Sequence, residues 1–164
     1  VCYATGKGVS EDADEAIKWF RRAAQQGYGD AQARLGAMLE LRGELTEAAE
    51  WYRKGASQGI PRAQFGLAGC YARGRGVAKD HVEAYKWLTL ASAGGITEST
   101  NALKIIEKIV TPEQILEGQR RANLLLQRSG TSSGEKAEPD GAANGSQPIR
   151  SETNRTSSAA GSPR

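Results

Sequence analysis

Apolar residues recur along this chain at steps of three and four, in blocks separated by glycine, which is the spacing of amphipathic helices. Ala16, Trp19, Phe20, Ala23 and Ala24 form one stripe, and Ala48, Trp51, Tyr52 and Ala56 form another. Between and after them run Ala31, Leu35 and Leu39, then Ala63, Leu67 and Tyr71. Gly43 and Gly74 close these two blocks, where a helix end favours a left-handed residue. Asp12 with Glu15 and Asp80 with Glu83 stand at capping-box spacing, Pro61 suits a first helical position, and Thr111-Pro112-Glu113-Gln114 opens a further helix. The pattern predicts an all-α chain.

The blocks also repeat. Trp19, Trp51 and Trp87 are 32 and 36 residues apart, and the same offsets carry Gly27 onto Gly59 and Gly95, Ala16 onto Ala48 and Ala84, and Leu35 onto Leu67 and Leu103. Each unit pairs a leucine-bearing helix A with a tryptophan-bearing helix B. Tyr71 to Ala84 spans 13 positions but Leu39 to Ala48 only nine, so the middle unit has a shortened turn between its helices. Gly36 and Ala68, each one residue after the leucine, would let helices A and B approach closely, with the indole filling the neighbouring gap. Units fall at about residues 1–30, 31–62 and 63–98, followed by a helix over 99–110 and a capping helix over 112–128. The capping helix would turn Ile115, Leu116, Ala122 and Leu124 to Leu126 inward to cover the open array end.

Gly6-Lys7-Gly8-Val9 and Gly74-Arg75-Gly76-Val77, followed by Asp12 or Asp80, then Ala-x-x-Trp and a terminal glycine, resemble the Sel-one-like repeat. This family is a longer-looped relative of the tetratricopeptide repeat, and the match covers roughly residues 1–110. The middle unit departs from it by lacking Gly-x-Gly-Val, and Ser92 stands where a second alanine is usual. The resemblance implies a right-handed α-α superhelix (solenoid) of about three helix-turn-helix repeats. It also implies that the first unit is truncated, so that the chain begins inside a longer array. The function it implies is that of a non-catalytic adaptor with a protein or peptide partner.

Composition divides the chain in two. From Ser129 to Arg164 there is no aromatic residue, and apart from alanines the only apolar one is Ile149, so this stretch reads as a disordered low-complexity tail outside the 1–128 solenoid. A net charge of +3, from 22 basic and 19 acidic residues, argues against nucleic acid as the main partner. No apolar run approaches the length of a membrane span. The compartment stays open.

Candidate chemistry is sparse, and no catalytic, cofactor-binding or metal-binding constellation emerges. Cys2 and Cys70 occupy one repeat phase two units apart, roughly 20 Å from each other for helices packed ~8–10 Å apart. That exceeds the ~7 Å limit for a disulfide, so two free thiols are expected. His81, the only histidine, lacks neighbours at metal-ligand spacing and reads as an exposed surface residue. Ser133 and Lys136 match Ser-x-x-Lys in letters only, and the triplets opened by Asn144 and Asn154 matter only on a glycosylating route.

Binding is expected on the concave surface, which helices A line. The offsets give three ridges: Arg34, Gly66 and Ala102; Met38, Cys70 and Ile106; Leu41, Arg73 and Ile109. From these, Arg34, Met38, Leu41, Cys70, Arg73 and Ile106 are the candidate partner contacts, apolar groups meeting apolar side chains and arginines meeting carboxylates. A monomeric interaction scaffold is the first expectation. The resemblance supplies one alternative, since some secreted relatives are linked with binding or hydrolysing β-lactams and cell-wall peptides. A repeat fragment of a larger protein is the other.

Overall fold

The computed structural model describes the backbone of residues 7–132 and the side chains of residues 13–128. These residues form seven helices: α1 (Lys7–Gln25), α2 (Gly29–Arg42), α3 (Leu45–Ser57), α4 (Pro61–Arg73), α5 (His81–Ala93), α6 (Thr97–Ile106) and α7 (Pro112–Ser132). No strand occurs among the described residues. Consecutive helices from α1 to α6 pack on one another, α2 also lies against α4, and α7 lies against α5. This is an all-α solenoid, with α2, α4 and α6 as helices A and α1, α3 and α5 as helices B. Cys2, the start of the first Gly-x-Gly-Val and residues 133–164 lie outside the described residues.

The core follows the repeat. Leu35, Leu39 and Leu67 are fully buried among Ala24, Ala48, Ala56 and Ala63, where small neighbours let the helices close on the leucines. Each such leucine contributes about 1.5–3 kcal/mol by leaving water. A second cluster, Ala68, Ala84, Tyr85, Leu88 and Ile106, continues the core toward α7.

Helix ends obey the sequence signals unevenly. Gly43 and Gly74 adopt left-handed φ of 83° and 70°, as C′ glycines should. Asp80 caps α5 by accepting from the Val82 and Glu83 amides at 2.9 and 3.0 Å. Glu83 does not complete that box, because its carboxylate is drawn to Lys86 and Arg121. The box does close at Thr111, whose amide donates to Gln114 Oε1 at 3.1 Å while its Oγ1 accepts from the Gln114 amide at 3.4 Å. Asp12, expected at a helix start, falls inside α1, which already runs from Lys7, and its side chain lies outside the described residues. The helix expected over 99–110 ends at Ile106, and the one expected over 112–128 continues to Ser132.

The turns differ as their lengths predict. Two residues join α2 to α3, whereas Gly74 to Asp80 join α4 to α5. Gly76, at φ 69°, lies so close to the Leu45 carbonyl that a Cβ would collide with it, so only glycine fits. Arg75 reaches Glu40 at 3.3 Å. The long loop of one unit therefore rests on the short turn of the unit before it.

Candidate functional site

Small residues on the A helices do allow close approach, but the side chain they admit is a phenol, not an indole. A Cβ on Gly36 would stand 2.8 Å from the Tyr52 ring, and one on Gly66 would overlap it as well. Tyr52 is thus wedged between α2 and α4, its hydroxyl donating to Glu40 Oε2 at 3.2 Å. Burial, followed by the Glu40 charge, raises its pKa. Of the three tryptophans Trp51 is buried, whereas Trp19 is exposed.

One unit later the wedge is missing. The repeat register places Leu88 where Tyr52 stood, and Ala68 and Ala102 where Gly36 and Gly66 stood. Leu88 is buried but has no ring to push between α4 and α6. A groove of ≈ 540 Å³ opens there, lined by Arg62, Phe65, Arg73, Leu88, Ile105, Ile106 and Ile109, and it runs on across α4 to Ala37 and Glu40 of α2 and the edge of Tyr52. Its lining is mostly apolar with a few polar groups placed around it, the make-up common to ligand pockets.

The expected contacts are only partly assembled in it. Arg73 and Ile106 line the groove, together with Gly66, Ala102 and Ile109 of the same ridges. Cys70 does not reach it: the side chain is 3% exposed, and burial pushes its thiol up to about 11, so it is a packing residue. Met38 packs against the first core cluster, and Arg34 lies over the Phe20 ring at 5.9 Å. Leu41 is 89% exposed but stands apart from the groove. His81, expected on the open surface, is half-buried on the groove wall, and its Nδ1 is shielded without a hydrogen-bond partner.

The ridge missed from sequence is Ala37, Gly69 and Ile105, one position before the Met38 ridge. On a helix that single step turns a side chain by about 100°. The signal that could have found the groove was the register substitution of Tyr52 by Leu88, which removes volume on the inner face.

The charged groups in and around the groove differ in whether they are paired. Glu40, at its α2 edge, is paired with Tyr52 and Arg75. Glu47 receives Arg21 and the Trp51 indole, and the Arg21 hydrogen bond holds its carboxyl below the ordinary range, with Trp51 adding to the effect. Glu117, gripped by Arg120 and Arg121, is lowered to about 2. Arg62 and Arg73, by contrast, make no ion pair among the described residues. No cluster of three metal-ligating side chains occurs among those residues, and none of their helices is long and apolar enough to cross a membrane.

Three successive helix pairs with Ala-x-x-Trp at one phase form a repeat that can be compared with known ones. The sequence profile of the Sel1 repeat matches residues 1–28, 29–60 and 61–96. The chain belongs to the Sel1 repeat family. Among solved structures it is similar to c5321, a protective antigen present in uropathogenic Escherichia coli strains displaying an SLR fold, at 29% identity and a TM-score of 0.64. That match covers 80% of this chain but 30% of c5321, so this Sel1 chain spans less than a third of that relative. It is also similar to a Sel1 repeat protein from Oxalobacter formigenes, at 42% identity and a TM-score of 0.51, over 56% of this chain and 71% of the other. A comparison with curated proteins finds no match. Sel1 repeats are commonly protein-protein interaction modules and typically non-enzymatic.

Proposed function

We propose that this chain is a non-catalytic scaffold whose α4–α6 groove binds a partner segment bearing an apolar side chain and a nearby carboxylate. The observation that carries the reading is one apolar groove bounded by two unpaired guanidinium groups, Arg62 and Arg73, with Ile105 and Ile109 more than half exposed beside them. Exposed isoleucines lose water favourably on contact, and arginine pairs with carboxylates through a planar fork of donors. Of the residues singled out from sequence, Arg73 and Ile106 belong to this surface. Arg34, Met38, Leu41 and Cys70 do not.

The test is selection of peptides from a random displayed library against the full chain. Selected sequences should place Asp or Glu within a few residues of Leu, Ile or Phe. Arg73→Glu should shift the enriched charge from acidic to basic, and Ile105→Asp should abolish enrichment. Peptides that bind both variants as they bind the unaltered chain would place recognition elsewhere.

A further inference from the structure

A second cleft, of ≈ 590 Å³, lies away from the groove, between the end of α3, the start of α4, α5 and the last turns of α7. Its walls include Trp87, Leu90, Ala93, Leu125 and Leu126. At its edge sits Gln64, a residue only 7% exposed, whose side-chain amide makes no hydrogen bond among the described residues. Its amide atoms are open to the cleft rather than sealed from solvent, and their lack of a protein partner has a reason in the repeat.

The preceding unit supplies it. Gln32, at the same phase, donates from Nε2 to the Ala24 carbonyl at 3.1 Å and accepts at Oε1 from Gln58 Nε2 at 2.8 Å. The register that carries Gln32 onto Gln64 carries Gln58 onto Gly94, which also lines the cleft. A Cβ at Gly94 would collide with the Pro61 ring, so this unit cannot provide the second amide itself. The cleft is the preceding unit's packing with one amide side chain left out.

We propose that Gln147-Pro148-Ile149 of the chain's own C-terminal segment fills this cleft. Gln147 supplies the amide that Gly94 lacks, and Ile149 covers Leu90, Leu125 and Trp87. Residues two apart share one side of an extended segment, and Pro148 holds its φ in the extended range. The position of the segment suits the task, because Arg128 already lines the cleft and α7 ends at Ser132. The 14 residues from 133 to 146 can bridge up to roughly 46–50 Å. No other stretch competes, since Ile149 is the one large aliphatic or aromatic residue in 133–164.

The test uses the full ¹⁵N-labelled chain and substitutions in the segment, which leave the helices untouched. Trp87→Phe and Trp51→Phe identify two indole N–H resonances. Ile149→Asp should shift the Trp87 resonance and leave that of Trp51 in place, and Gln147→Ala should shift the Gln64 side-chain amide resonances. Amide exchange of residues 147, 149 and 150 should be slowed about tenfold in the unaltered chain relative to Ile149→Asp, independently of protein concentration. Coincident Trp87 resonances in the unaltered chain and Ile149→Asp would overturn the proposal. So would shifts that grow with concentration, which would assign the segment to a second copy.

Discussion

The second and third helix pairs are built on one register yet meet their neighbours differently. Between α2 and α4 a tyrosine ring fills the inner face, admitted by two glycines. Between α4 and α6 a leucine stands in its place, and a groove lies open. On the outer face the Gln32–Gln58 amide pair has become Gln64 beside Gly94, and a cleft lies open there too. The Trp51 indole donates to Glu47 at 3.0 Å, whereas Trp87 Nε1 is buried without a partner because Glu83 has turned to Arg121 on α7. A repeat can thus keep its backbone while two or three substitutions convert filled interfaces into vacant ones. In the third unit Glu83 and Tyr85 instead reach Arg121 and Gln119 of α7, and the groove and the cleft stand open.

The largest way to probe this difference is through the leucines at one phase. Leu67→Ala removes a fully buried side chain and should cost about 2–5 kcal/mol in urea unfolding. Leu103→Ala, partly buried at the next unit's equivalent site, should cost less than half as much. Equal losses would mean that the two ends of the array are equally well packed.

Next in size is the attempt to restore the wedge. Leu88→Tyr alone should destabilise by about 1–3 kcal/mol, since Ala68 and Ala102 carry methyls where Tyr52 meets glycine. Adding Ala102→Gly should recover part of that loss and abolish peptide binding by the groove, measured by calorimetry. Retained binding in the double variant would break the link between the missing ring and the groove.

A smaller effect separates the helix starts. Asp80→Ala should lower stability by about 1 kcal/mol, because this carboxylate caps two amides. The residues preceding α2, α3, α4 and α6 make no side-chain cap, so alanine at Tyr28, Glu44 or Ile60 should cause no comparable capping loss. Thermal melts read both.

The smallest effect is on pH dependence. The Glu47 pKa is lowered in the folded chain, so its stabilising contribution is complete above the unfolded carboxylate value and is lost as pH falls through the lower, folded one. With both side chains about one-third exposed, the contribution should stay below about 1 kcal/mol. Between pH 6 and 3 the unaltered chain should lose slightly more of its melting temperature than Glu47→Gln. Parallel curves would show that the pair with Arg21 adds nothing.

Much of the fold could be read from the sequence because it depends on period and on a few special residues. The tryptophan and leucine phases located the helices, and Gly43 and Gly74 ended two of them where left-handed residues were needed. The short middle turn followed from counting between Leu39 and Ala48. Details set by neighbouring side chains were less legible. Leu116, expected to face inward on α7, is exposed, because the buried stripe runs through Gly118 and Ala122 with Ile115 and Leu125 partly covered. A Cβ at Gly118 would stand 2.9 Å from the Tyr85 ring, so glycine admits the ring there. The candidate site suffered most, since all A helices were given one inward face. Which face is open depends on whether position 52 or 88 carries a ring, a property of the interface and not of either helix.

The seating of Gly76 on the Leu45 carbonyl, with Arg75 tied to Glu40, bears on how such an array can change over generations. The landing place for one unit's long loop is the brevity of its predecessor's turn. Four further residues between Leu39 and Ala48 would have to be seated without lifting Gly76 from the Leu45 carbonyl. The length of one unit's turn is therefore coupled to the seating of the next unit's loop.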